Sequence, residues 1–265
     1  MRTALMGTIV LALAGAAAAA PAGTMGACAH RGDVRHAPEN TLPAFRSAAE
    51  KGAHMIEFDV AATRDGKLVL MHDATVNRTT DGMGRVDQLT WHQVRKLRLK
   101  PRRGREAADD KKVPTLADAL AVCAEVGLPL CVELKSRGHS PELVRKTVAL
   151  LTKAALLDST WIWSFDWHDL EAVRAITPNL RRGTLSLKWP GADGLRHSEM
   201  LVPFAAHQLL VRKRPPETEG RPLIIWTVNQ PWMVRRFVAR GVDGLITDTP
   251  DRVRALLATV PEAET

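Results

Sequence analysis

The sequence predicts a parallel α/β protein with enough strands for an eight-stranded barrel. Three observations predict it. Short runs rich in Val, Ile and Leu recur from Gly26 onward, segments of helical period separate them, and charged or imidazole side chains sit where the apolar runs end.

The first residues stand apart from that pattern. Met1-Arg2, an apolar run from Thr3 to Leu13 and the small-residue tract Ala14 to Ala20 follow the order of a secretory leader. Residues 1–22 are expected to form a signal peptide cut near Ala20 or Ala22, which sends the protein outside the cell as a secreted or wall-associated form. The apolar run falls short of the roughly 18 to 20 residues that cross a bilayer, so a retained anchor is the lesser expectation. Lipid anchoring at Cys28 is not expected, because Met25-Gly26-Ala27 is a poor lipobox.

Strands are expected at Gly26 to Ala29, Met55 to Ala61, Leu68 to His72, Leu130 to Leu134, Thr160 to Ser164, Gly183 to Leu187, Leu209 to Val211, Leu223 to Thr227 and Gly244 to Thr247. Helices are expected at Leu42 to Glu50, Thr90 to Leu97, Leu116 to Glu125, Pro141 to Leu156, Asp166 to Ile176, Pro231 to Arg240 and Asp251 to Thr259. Thr41, Ser140 and Thr249 are natural N-caps, and the last two stand before a proline at the first turn. Two stretches break the rhythm. Asp73 to Lys112 reads as a polar insertion with one short helix, and Arg212 to Pro222, with three prolines and Gly220, leaves room for a short helix or none.

The formal charge of +8 is spread along the chain, and the only dense basic stretch, Lys96 to Lys112, is interrupted by Asp109 and Asp110. That distribution favours a solvated surface, with weak contact with anionic lipid as the secondary reading; no nucleic-acid partner is expected. An oxidising compartment would permit one cysteine pair to close. Cys123 to Cys131 is the natural candidate, against three cysteines acting as small buried hydrophobes.

In a parallel barrel the C-terminal ends of all strands meet at one mouth, so polar residues at run ends converge there. His30-Arg31, His72-Asp73, Glu133-x-Lys135, Ser164 and Asn229 end such runs, and Glu57 and Asp59 lie within one. On a strand, Glu57 and Asp59 face the same side. The spacing fits a surface pair flanking a buried Phe58 as well as a cation site. With Glu133 they make three hard oxygen ligands suited to Mg²⁺ or Ca²⁺. His30 and His72 are candidates for general acid and base, or for structural hydrogen bonding. Zinc-protease, serine-hydrolase and nucleoside-triphosphatase motifs are absent.

The stretches Ala29-His30-Arg31-Gly32, Ala37-Pro38-Glu39-Asn40-Thr41-Leu42-Pro43-Ala44-Phe45 and Glu57-Phe58-Asp59-Val60 resemble the glycerophosphodiester phosphodiesterases. So do Met71-His72-Asp73, Asn77-Arg78-Thr79-Thr80, Val132-Glu133-Leu134-Lys135, Trp226-Thr227-Val228-Asn229 and the segment Gly241 to Asp248, all in the right order. The resemblance implies a (β/α)8 TIM-type barrel over residues 23–265, with a small insertion after the third strand at about 73–112. It implies His30 and His72 as the acid/base pair, and Glu57, Asp59 and Glu133 around one divalent cation, Ca²⁺ or Mg²⁺. Arg31 and Lys135 would contact the phosphate, and Phe165 and Trp226 would wall the substrate pocket or else serve as ordinary core aromatics. The implied reaction cleaves a small-molecule glycerophosphodiester to glycerol 3-phosphate and an alcohol, with water or the glycerol hydroxyl attacking. No obligate protein partner is implied. The alternatives are a phospholipase D-like or lysophospholipase D-like activity on lipid headgroups, which an apolar groove beside the mouth would favour, and a non-catalytic secreted barrel.

Overall fold

The computed structural model describes residues 26–101, 112–136, 138–210, 216 and 220–259. Its strands are β1 (Gly26–Ala29), β2 (Met55–Ala62), β3 (Leu68–Leu70), β4 (Leu130–Leu134), β5 (Thr160–Ser164), β6 (Arg181–Ser186), β7 (Met200–Pro203), β8 (Ile224–Ile225) and β9 (Gly244–Thr247). The helices are α1 (Leu42–Glu50), α2 (Trp91–Val94), α3 (Leu116–Val126), α4 (Pro141–Lys153), α5 (Trp167–Ile176), α6 (Ala192–Arg196), α7 (Ala205–Leu210), α8 (Pro231–Val238) and α9 (Pro250–Leu257). The expected leader and most of Arg212 to Pro222 lie outside the described residues. Among the described residues no helix is long and apolar enough to cross a membrane.

Eight strands pair in parallel in the order β7-β6-β5-β4-β2-β1-β9-β8, and two isolated parallel bridges, Leu201 with Leu223 and Phe204 with Trp226, join β7 to β8. This is the (β/α)8 barrel. Alternation along the strands separates two cores. Side chains on one face, including Ile56, Phe58, Leu130, Val132 and Ile162, pack beneath the helices. Those on the other face fill the interior: Cys28, Met55, Cys131, Trp161, Trp163, Leu185, Met200, Val202, Ile224 and Ile246. The bulk of Trp163 requires Gly183 on the neighbouring strand, where a Cβ would stand 2.5 Å from the indole Cδ1. Gly183→Ala is therefore expected to cost about 1–3 kcal/mol. Urea denaturation checks this, and unchanged stability would mean that the indole has room to move.

The helix starts follow their caps. Thr41, Thr115 and Ser140 each accept a backbone N–H through the side chain, and proline opens the first turn of α1, α4, α8 and α9.

Two expectations are corrected, and the open question of the cysteines is decided for three buried thiols. The seventh barrel strand is Met200–Pro203, and Leu209-Leu210 close helix α7 instead of forming a strand. The β7 side chains are all buried, whereas Leu210 is 84% exposed, so burial chose the earlier apolar run. The run at Leu68 is no barrel strand, because β3 pairs antiparallel with the end of β2 as a hairpin around Thr63–Lys67. Cys123 and Cys131 do not approach each other in the way a bridge needs. Cys131 points into the barrel and packs in the same interior cluster as Cys28, Cys123 faces the helical layer, and all three are free and buried.

The insertion after β3 carries α2 and a one-turn 3-10 helix at Val86–Gln88, pinned by short antiparallel bridges such as Thr75 with Arg85. It has its own small core, where Val76, Val86, Val94 and Leu99 pack on Ala61, Val69 and Met71.

Candidate active site

The interior face of the strands, continued to the barrel mouth, delivers the polar residues. His30 lies two positions beyond Cys28, Glu57 and Asp59 follow Met55 on β2, Glu133 and Lys135 follow Cys131 on β4, and Asp248 lies two beyond Ile246. Asp59 and Glu133 are direct neighbours across β2 and β4. His72 arrives from the hairpin, whose Met71 N–H donates to the Asp59 carbonyl at 3.1 Å.

Oxygens of Glu57, Asp59 and Glu133 lie within 4.8 Å of one another, and all three side chains are buried. Like charges so placed disfavour ionisation. Burial, then Asp59 and Glu133, raise the Glu57 carboxyl well above the usual range, and burial with Asp59 pushes Glu133 up to about 7. Burial also opposes ionisation of Asp59, yet Lys135 and Arg31 hold it well below its ordinary value. Lys135 Nζ stands 2.5 Å from Glu133 and 3.2 Å from Asp59, and Arg31 Nε is 3.4 Å from Asp59. Asp59 Oδ1 is buried with the Lys135 ammonium at 3.2 Å as its neighbour. Three crowded, buried carboxylates are the donor set a hard divalent cation takes.

Both candidate histidines are oriented by carboxylates. His30 Nδ1 meets Asp248 Oδ1 at 2.8 Å and His72 Nδ1 meets Asp73 Oδ1 at 2.8 Å, so Nε2 of each ring lies on the side away from its carboxylate. Burial lowers the His72 pKa, with Asp59 opposing and Lys135 and Arg31 adding to the fall.

A supporting layer was invisible as such in the sequence, although most of its members stand in the motifs. Arg78 bridges Glu39, at 2.6 and 2.8 Å, and Asp73, at 2.6 Å. Glu39 in turn accepts from Arg31 at 2.9 Å, so one guanidinium steadies both Arg31 and the partner of His72. Asn40 donates to Asp59 at 2.7 Å and accepts its backbone N–H, while Asn229 donates to Asp248 at 2.8 Å. Arg31 has a φ of 57°, and its N–H donates to Glu57 at 2.8 Å. Asp248→Asn and Asp73→Asn are expected to lower kcat with KM little changed, by less than loss of the imidazole itself. Steady-state kinetics decides, and a pure KM effect would contradict an orienting role.

Phe165, 48% exposed, stands edge-on to Trp226 with ring centroids 5.7 Å apart. A cavity of about 670 Å³ runs from His72, Glu133 and Lys135 to Phe165 and Trp167. His36, His54 and His139, by contrast, make structural hydrogen bonds with Asp33, the Ala27 N–H and Asp169.

Residues 30–252 match the model of the glycerophosphoryl diester phosphodiesterase family. A glycerophosphodiester phosphodiesterase of Caldanaerobacter subterraneus is 34% identical over 228 residues, covering 84% of this chain and 93% of that one. Human glycerophosphodiester phosphodiesterase 1 is 47% identical over 120 residues, 45% of this chain and 36% of its own. The fold superposes on a phosphodiesterase from Oleispira antarctica, solved with the product sn-glycerol 3-phosphate, with a TM-score of 0.80 and 26% identity over 88% of this chain and 97% of that one.

Fold, site and relatives together define an enzyme that hydrolyses phosphodiesters. The chain belongs to the glycerophosphoryl diester phosphodiesterase family.

Proposed function

We propose that this enzyme uses one divalent cation, Ca²⁺ or Mg²⁺, to hydrolyse glycerophosphodiesters to sn-glycerol 3-phosphate and an alcohol, as a secreted single-domain protein of residues 23–265 acting on small soluble substrates. The observation that carries this reading is the buried trio Glu57, Asp59 and Glu133 set beside two carboxylate-oriented histidines. A cation bound by the trio would offset their charge and polarise the phosphoryl oxygens.

The chain's own residues do the rest. Arg31 and Lys135 bind the phosphate anion, and Glu39 and Glu133 hold their long side chains in place, which limits the entropy lost on binding. One imidazole accepts the proton of the attacking hydroxyl at Nε2, and the other delivers a proton to the departing alkoxide. Phe165 and Trp226 form the apolar wall beside the glycerol skeleton. The experiment is an assay of purified protein on several glycerophosphodiesters with Ca²⁺, Mg²⁺ or a chelator. Glycerol 3-phosphate release that stops on chelation and returns with the cation is expected, and chelator-resistant turnover would sink the cation requirement.

A further inference from the structure

Several exposed arginines of this protein meet carboxylates: Arg46 pairs with Glu125 at 2.6 Å, Arg85 with Asp87 at 2.5 Å, and Arg174 lies 3.8 Å from Glu171. The outer face of α8 is different. Trp232, Arg235 and Arg236 stand at i, i+3 and i+4 and are exposed, while Val234 and Phe237 on the opposite side are buried. Arg240 continues the exposed face past the helix end. From Pro231 to Val242 the chain has no acidic residue.

Among the described residues no carboxylate pairs with Arg235, Arg236 or Arg240. Arg236 and Arg240 instead donate to the Leu209 and Gln208 carbonyls of α7, at 3.3 and 2.7 Å. Partial burial, and then the charge of Arg236, lower the Arg240 pKa, so like charge is its neighbour. Three guanidiniums held together without a counterion make a positive field that an anionic partner would relieve.

Apolar side chains share the face. Trp232 is 55% exposed, and Leu210, which follows the Leu209 carbonyl that Arg236 holds, is 84% exposed. Arginines alone would serve a fully hydrophilic polyanion, and leaving an indole and a leucine in water beside them is unfavourable. Tryptophan among arginines suits the boundary between lipid headgroups and acyl chains, where the ring is buried and the cations meet phosphate. The face also starts at the barrel mouth, because Pro231 opens α8 two residues after Asn229, the partner of Asp248.

We propose that the outer face of α8, with Trp232, Arg235, Arg236 and Arg240, and Leu210 beside it, docks the protein on an anionic lipid bilayer. Docking there sets the mouth beside the headgroups. None of these residues belongs to the catalytic site, so failure of this proposal leaves the proposed function standing.

The full chain is tested by co-sedimentation with vesicles of equal parts phosphatidylglycerol and phosphatidylcholine, against vesicles of phosphatidylcholine alone. Partitioning is expected to favour the anionic vesicles about tenfold or more. Arg235→Gln with Arg236→Gln should lower it about fivefold for each charge removed. Arg95→Gln with Lys96→Gln, an equal change of net charge in the insertion, should lower it less than about twofold. Trp232→Ser should cost about threefold, and Trp232→Phe should recover most of that. Arg235→Gln alone keeps the test decisive if loss of the Arg236 contact disturbs α7, and should cost about fivefold by itself. No preference for the anionic vesicles would overturn the proposal. Equal losses in the two double variants would overturn the assignment to α8, because net charge alone would then drive binding. Trp232→Ser that partitions like the parent would overturn the lipid assignment in favour of a partner met by charge alone, such as a soluble polyanion.

Discussion

Replacing His30 or His72 with alanine is expected to lower kcat by about 10²- to 10⁴-fold, the usual contribution of a positioned acid or base. Each ring is held by one carboxylate and neither lies in the packed core, their side chains being 18% and 34% exposed, so both variants should fold. Neither belongs to the carboxylate trio, so stabilisation by Ca²⁺ or Mg²⁺ should survive. That second readout matters, because a misfolded variant would lose activity and cation response together. The two changes should also fail to add. Once one end of the proton relay is gone, removing the other costs little more, and the double variant should sit close to the weaker single one. Full activity in either single variant would exclude that histidine from the chemistry. Glycerol 3-phosphate release by each purified variant, alongside its thermal midpoint with and without cation, makes the measurement.

The place of His30 was legible because it follows a barrel strand, whereas His72 reaches the same mouth from the antiparallel hairpin of β3, which is no barrel strand. Glu57 and Asp59 were half legible. Their spacing placed them on one face, but only the pairing of Asp59 with Glu133 decided that the face points inward and that Phe58 points out. The strand at Met200 was not read, because Met200-Leu201-Val202 and Leu209-Leu210-Val211 are equally apolar and equally short. Pairing with β6 and closure on Leu223 selected the first, and such contacts are long-range. The antiparallel turn of β3 did leave a local signal, the Asp65-Gly66 pair that suits a hairpin. Gly66 has a φ of 76°, as that turn requires. The supporting roles of Arg78, which reaches Glu39 from the insertion, and of Asp248, which reaches His30 from the neighbouring strand, depend on long-range contacts, and residue type carries no record of those.

The carboxylate trio makes a second large prediction, on stability. In a group whose folded pKa is raised, stability is fully present below the unfolded value and is lost as pH rises through the folded one. Glu57 lies well above its ordinary range and Glu133 is pushed to about 7, so cation-free protein should lose stability between about pH 4.5 and 8. For Glu133 alone the loss is about 3 kcal/mol, as an order of magnitude. Asp59, Asp73 and Asp248 are shifted the other way and act at lower pH, while the lowered His54 and His72 oppose the trend only below about 6.5, so the loss is clearest above that value. A cation that binds the ionised trio should reverse the slope, adding about 2.7 kcal/mol at a concentration one hundred times its Kd. The rise should be larger at pH 8 than at pH 5. Glu133→Gln should flatten the profile in chelator and remove most of the cation's effect, a pairing that no purely structural glutamate would show. Thermal midpoints across pH, with chelator and with Ca²⁺ or Mg²⁺, measure both. A cation response unchanged in Glu133→Gln would move the binding site elsewhere, and a flat chelator profile in the parent protein would mean that the three carboxylates are less crowded than their 4.8 Å cluster implies.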